Sequence, residues 1–312
     1  MGVQTSDALN RARATYGRLR EKWIADLCGD HVNAVWVQLD QMVRTEVWFK
    51  AVIHLRSAAG NPPVNGYLWE AFITGYGLRQ SLAIRRLTDT RKGTASLLRI
   101  VQDIRKNQHF LSREIVVGHD GTPMDLQELW SGVVQSTVKN GAHSAPSPVD
   151  PIAISAWSQA EHAHKAFDRL RHAALEAPQL PDDKIDVVVL DRLEEALTIE
   201  AVRRVRTQCD KYLAHADLCD LSGDLKGPTY NDIHDCVATL VEVNQFLTST
   251  LLNYSSSSVV ATPQFGYLAN LASPLVPSLP EAQCREAWSN ASAAVEGYGN
   301  TDRFMRFSAH QA

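Results

Sequence analysis

A chain of 312 residues, 45% apolar and 21% charged, is long and apolar enough to bury one large core or two smaller ones, which argues against disorder. Thirty-one Lys and Arg against 35 Asp and Glu leave a net charge of −4, so there is no long-range pull on phosphate and any nucleic-acid contact must be local. The five cysteines have no C-x-x-C and no short metal spacing; they read as reduced thiols of a cytoplasmic protein, most of them small core residues.

The first segment, Met-Gly-Val-Gln-Thr-Ser, lacks the basic and apolar regions of a secretory leader, and no stretch approaches the roughly 18 uninterrupted apolar residues of a membrane span. A soluble chain is expected. Gly2 with Ser6 also fits the N-myristoylation pattern, which is short enough to arise by chance. Leu9, Ala12, Tyr16, Leu19, Trp23 and Leu27 then recur at three- and four-residue steps, predicting a first helix capped by Ser6 or Asp7 that ends near Gly29. Val32, Trp36, Leu39, Val43 and Val47 predict a second, which the breaker Gly60-Asn61-Pro62-Pro63 ends. In the third, Ala71, Gly75, Leu78 and Leu82 share a face, and the same spacing runs on to Arg85 and Asp89. That pair is either a structural ion pair at a bundle end or part of a cleft lining.

After the turn Asp89 to Gly93, Leu97, Val101 and Ile104 predict a shorter helix capped by Thr94 or Ser96. Residues 111 to 150 are the least regular, with Gly118, Gly121, Gly141, Pro146 and Pro148; one helix, introduced by Thr122-Pro123 and carried by Leu126, Trp130 and Val133, is expected inside them. This stretch reads as the start of an insertion covering about 111 to 185. Asp150-Pro151 opens a helix with Trp157, Ala160, His164, Phe167 and Leu170 on its buried face. The run Val187 to Leu190 suits a strand by residue type, but Leu193 and Leu197 continue it at helical spacing, so a helix is expected. Thr229 and Asp232 resemble a capping box ahead of Ile233, Cys236, Leu240, Val243 and Leu247. Beyond Tyr254, four serines and the prolines at 263, 274, 277 and 280 predict an irregular arm over 256 to 312 with short helices at most. The expectation is an all-α protein, with a domain over 1 to 255 and no internal repeat.

One segment, Arg203 to Asp217, interrupts the apolar spacing with a dense polar row. Drawn as a helix, it places Arg204, Gln208, Lys211 and His215 along one side and Val202, Val205, Cys209 and Tyr212 along another. On spacing alone this is a solvated face of a surface helix. His164, Asp168 and His172 at steps of four could also present two imidazoles and a carboxylate to a metal, but no further ligand is evident, so neither metal nor cofactor is expected. Walker, G-x-G-x-x-G, G-x-S-x-G and H-E-x-x-H motifs are all missing from the sequence.

The run Cys209-Asp210-Lys211-Tyr212-Leu213-Ala214-His215-Ala216-Asp217 resembles the signature of HEPN domains, above all the abortive-infection U-type branch, in which an arginine, a polar residue and a later histidine end a long helix. Upstream, Ile84-Arg85-Arg86-Leu87-Thr88-Asp89 followed by Ser96 to Val101 resembles an early helix of the same branch and the leucine-rich helix after it. The resemblance covers roughly 30 to 110 and 190 to 255. It implies an antiparallel helical bundle, a homodimer, and in active members a metal-independent RNase of a prokaryotic defence or stress system, whose arginine and histidine face a cleft between protomers. RNA and a regulatory protein are the partners implied.

On this reading His215 is the general acid or base at a ribose 2′-hydroxyl or leaving oxygen, supported by Asp210 and Lys211. Arg85, Arg86, Asp89 and Arg204 are the candidate substrate-binding groups. The sequence departs from the pattern at the motif arginine, where it has Cys209, which has no fixed charge and no fork for phosphate. Arg206 lies about half a turn out of phase with His215, and Arg204 is in phase but some 16 Å away on an ideal helix. Lys211, one turn before His215, or Arg85 or Arg86 reaching in from the third helix are the remaining cations. Cys209 as a thiolate nucleophile activated by Lys211 is a third reading, against which stands its place on the apolar side. The alternative to an RNase is a catalytically silent helical module that binds a protein partner or RNA.

Overall fold

The computed structural model describes residues 2–61, 66–127, 130–131, 151–175, 177–213, 227–254 and 280–299. Among them the chain is all-α, with ten helices: α1 Gly2–Cys28, α2 Val35–Ala58, α3 Gly66–Leu87, α4 Leu97–Lys106, α5 Arg113–Val116, α6 Pro151–Asp168, α7 Val187–Ala196, α8 Glu200–Gln208, α9 Tyr230–Gln245 and α10 Glu281–Glu296. The helices α8 and α9 each run on into a π-helical segment, Cys209–Leu213 and Phe246–Leu251. Two isolated antiparallel bridges, Ser112 to Lys184 and Arg171 to Ile185, are the sole β pairing among the described residues. No helix among them is long and apolar enough to cross a membrane.

Periodicity explains most of these elements. On α2, Val35, Leu39, Val43, Val47 and Ala51 are sealed from solvent, a stripe at four-residue steps that packs against α1, α3, α9 and α10. Burying each Val or Leu side chain of this kind stabilises the fold by roughly 1.5–3 kcal/mol. The capping residues act as their chemistry predicts. Ser96 accepts from the backbone of Arg99 at 3.2 Å, and Asp186 accepts from that of Val188 at 2.9 Å, which starts the valine run Val187 to Val189 as helix rather than strand. At α9, Thr229 and Asp232 form the reciprocal box.

Four expectations need correction. The first helix begins at Gly2, before Ser6 and Asp7, and Val32 lies outside α2 and is 78% exposed. On α3, Leu78 and Leu82 face solvent, while Tyr76, Gln80, Ile84 and Leu87 turn to the core; two interleaved stripes share this helix, and burial chose the other. The irregular C-terminal arm contains a 16-residue helix, α10, whose Cys284, Ala287, Trp288, Ala291 and Val295 are buried against α2. Their three- and four-residue spacing was visible, but the surrounding prolines and serines masked it. The helix expected after Thr122-Pro123 falls partly outside the described residues.

The stretch 111 to 185 begins and ends side by side. Arg113 N donates to Asp183 O at 2.8 Å, Glu114 N to Pro181 O at 2.9 Å and Ile185 N to Leu111 O at 3.1 Å. Arg113 and Arg171, both essentially sealed from solvent, lie between Asp168 and Asp183: Arg113 Nη2 bonds both carboxylates, and Arg171 Nη1 reaches Asp183 Oδ2 at 3.0 Å. Buried charges persist only when paired and hydrogen-bonded in this way. The network ties α5 and the end of α6 to the loop before α7.

Candidate functional site

The polar row at the end of α8 forms because Val202, Val205 and Cys209 are fully buried, which turns Arg203, Arg204, Arg206 and Gln208 outward or to partial exposure. At Cys209 the backbone passes into the π segment, whose wider turn resets the helical phase. The ideal-helix line from Arg204 through Gln208 to Lys211 is therefore broken after Gln208. Lys211 is half-buried and has no ion-pair partner among the described residues. His215 lies outside the described residues.

The end of α3 meets this turn through Arg85. Its Nε donates to Asp210 Oδ1 at 2.6 Å and its Nη1 to Asp89 Oδ2 at 3.3 Å. The Asp210 hydrogen bond, opposed by partial desolvation and supported by both carboxylate charges, holds the guanidinium above its ordinary pKa. Asp89 is fixed in turn, since Arg91 N donates to its Oδ1 at 3.0 Å and the Ser96 hydroxyl donates to its carbonyl oxygen. The α3–α4 turn and the N-terminus of α4 thus hold the carboxylate that aims Arg85 at α8.

The structure brings together Arg85, Asp89 and Asp210 from the expected set and sends Arg86 and Arg204 elsewhere. Arg86 points to solvent and its Nη2 meets Asn33 Oδ1 at 3.3 Å. Arg204 bonds Asp232, the N-terminal box of α9, which raises its pKa, and reaches Glu200 Oε1 at 3.8 Å. Its fork serves to tie α8 to α9.

At the position of the motif arginine the Cys209 thiol has no exposed surface. Burial, then the neighbouring Asp210 charge, pushes its pKa up to about 11, with Arg85 partly offsetting them. A thiol held protonated and sealed is a packing group, which removes the nucleophile reading. His164 and His172 do not converge. His164 is buried, 3.3 Å from Arg113 through Nδ1 and 3.1 Å from the Pro123 carbonyl through Nε2, while His172 is 92% exposed at its side chain and pairs with Asp186.

A second polar cluster was not anticipated. Glu46, 1% exposed in the middle of the α2 stripe, accepts from the Tyr76 hydroxyl, and its Oε1 lies 3.0 Å from His234 Nδ1 and 3.2 Å from Lys50 Nζ. Lys50 Nζ in turn donates to Tyr298 Oη at 2.9 Å, just past α10. Burial works against the carboxylate, but the hydrogen bonds of His234 and Tyr76 and the Lys50 charge outweigh it and hold its pKa below the ordinary value. The available signal was a Glu at i and a Lys at i+4 inside an apolar run.

Fold and site together define an all-α bundle in which one guanidinium, bracketed by two carboxylates, joins α3 to the end of α8. No family model, no curated protein and no solved structure matches the chain.

Proposed function

We propose that the chain is a HEPN-like helical module of a prokaryotic defence or stress system, cytoplasmic, homodimeric and catalytically silent, which binds a protein partner or RNA through the end of α8. The observation that carries this reading is the pairing at Arg85. Two carboxylates compensate its charge, so a phosphate arriving there meets one cation and two anions and must displace a carboxylate before it gains a fork. Cys209 cannot supply the missing charge, Arg204 is committed to Asp232, and Lys211, though without an ion-pair partner among the described residues, is a point donor and not a fork. A site of this kind positions helices; it does not stabilise a developing phosphorane.

The second reading, a metal-independent endoribonuclease using His215, is favoured by one distance: Arg85 Nε lies 2.6 Å from Asp210, so a guanidinium does reach the motif helix from α3. Purified protein incubated with total RNA and with tRNA in chelator separates the two. The silent reading expects intact RNA from wild type, and equally from Arg85→Ala and His215→Ala. Metal-free cleavage that disappears in both variants would overturn it and establish the enzyme.

A further inference from the structure

A small cavity of about 40 Å³ lies between α1, the turn Gly118–Asp120, α6 and the end of the π segment that follows α9. Three independent features mark it. The backbone at its rim is irregular: the π-helical run ends at Leu251, and Asn253 sits at φ 43°, in the left-handed region that non-glycine residues enter rarely. Its walls divide by polarity, with Ala166, Phe167 and Leu170, all nearly sealed, on the apolar side and Arg20, His119 and Thr250 on the other.

The polar groups also have unused capacity. Arg20 Nε and Nη2 bond the Leu252 carbonyl at 2.9 and 2.7 Å, and Nη2 also reaches that of Asn253, which leaves Nη1 with no protein partner among the described residues. His119 Nδ1 lies 2.9 Å from the Val116 carbonyl, which fixes Nδ1 as the donor and leaves Nε2 without a hydrogen-bond partner among the described residues. Neither free atom is sealed away from solvent. The charges around the imidazole are those of Arg20, Asp120 and Glu21, and Arg20 acts most strongly. Asp120, exposed at the rim, has its Oδ1 engaged by the backbone and hydroxyl of Thr122 at 3.0 and 2.7 Å. The pocket thus carries one cation and one carboxylate, and Thr122 engages the carboxylate at the rim while Arg20 keeps Nη1 unengaged beside one apolar wall.

We infer that this cavity binds a small monocarboxylate of acetate size, its carboxylate on Arg20 Nη1 and the Thr250 hydroxyl and its methyl group against Ala166, Phe167 and Leu170. A space of this volume accepts about three waters or one ligand of about four non-hydrogen atoms, so propionate fits poorly, longer acids are excluded by size and phosphate or sulfate by the apolar wall. The ligand would bridge α1 to the carbonyls that Arg20 already holds, linking occupancy to the stability of the π-helical end of α9.

Thermal unfolding of the full chain in sodium acetate, against sodium chloride at matched ionic strength, tests this. Acetate is expected to raise Tm in a saturable way that chloride does not reproduce, as mass action requires of a ligand bound by the native state alone. Propionate should act more weakly and butyrate not at all. Ala166→Leu, which fills the space, should abolish the acetate increment while circular dichroism stays native, and Thr250→Val should weaken it. Equal Tm in acetate and chloride shows a cavity that holds water only and overturns the proposal, as does an increment that grows with chain length through butyrate. Both refuting outcomes are read on wild-type protein, so they stand even if Ala166→Leu fails to fold.

Discussion

Restoring the arginine that the motif lacks is the natural perturbation of this molecule, and the structure makes its cost calculable. Cys209 is fully buried in the hydrophobic core, on the side of α8 that carries Val202 and Val205. Cys209→Arg therefore inserts a larger side chain into a filled core, which costs about 1–3 kcal/mol in overpacking. It also desolvates a guanidinium whose nearest carboxylate, Asp210, is held by Arg85, and an unpaired buried charge adds a further penalty of roughly 3 kcal/mol or more. The sum is about 4–6 kcal/mol. With an unfolding entropy of roughly 2.1 cal/mol/K per residue, a cooperative chain of 312 residues loses about 1.5 °C of Tm per kcal/mol, so the drop is about 6–9 °C. Thermal melts followed by circular dichroism read it directly, with Cys209→Ala as the comparison, for which about 1 kcal/mol is expected. A Cys209→Arg variant as stable as wild type would refute the reasoning, because it would mean that position 209 can turn to solvent and that the motif face is open.

Thiol chemistry checks the same geometry without mutation. Cys209 and Cys236 are sealed, and burial pushes their thiols up to about 11 and about 12, so an aqueous thiol reagent at neutral pH should leave both unmodified until the protein unfolds. Glu46→Gln removes a buried charge from Lys50 and alters the hydrogen bonds to Tyr76 and His234; because Lys50 is partly exposed, a loss of about 2 kcal/mol is expected, and a double-mutant cycle with Tyr298→Phe should be non-additive. Asp103 accepts from Trp23 Nε1 at 2.9 Å and Lys22 Nζ at 3.0 Å. Although partial burial opposes ionisation, these bonds hold its pKa below the ordinary value. A depressed folded-state pKa contributes stability above the unfolded value, near pH 3.9, and loses it as pH falls through the folded value. The Asp103→Asn variant should thus be less stable than wild type by about 1 kcal/mol at neutral pH, and the two should converge in acid below roughly pH 4. Chemical denaturation across that range measures the difference.

Local chemistry was legible from the sequence. Apolar spacing placed the helices because a helix that packs must present one face every three or four residues, and Ser96 and Thr229 were legible caps because their side chains satisfy backbone donors only steps away. The Arg85–Asp89 pair was readable for the same reason, being four residues apart on one helix. Asp210 as its third member was not, since α3 and α8 are joined by more than a hundred residues and nothing in either segment names the other.

Tertiary packing decided what the sequence left open. Two apolar stripes compete on α3, and the neighbours α2, α8 and α9 select the one with Tyr76 and Ile84; the stripe with Leu78 and Leu82 is left to solvent. The proline-flanked run at Glu281 becomes α10 because α2 offers a face on which Trp288 can be buried. Arg204 had the spacing of a site residue, yet the N-terminus of α9 claims its charge. The physical reason is common to all three. Helix propensity and capping are set by neighbours in sequence, whereas which face is buried and which charge is paired depend on groups brought near only by the fold.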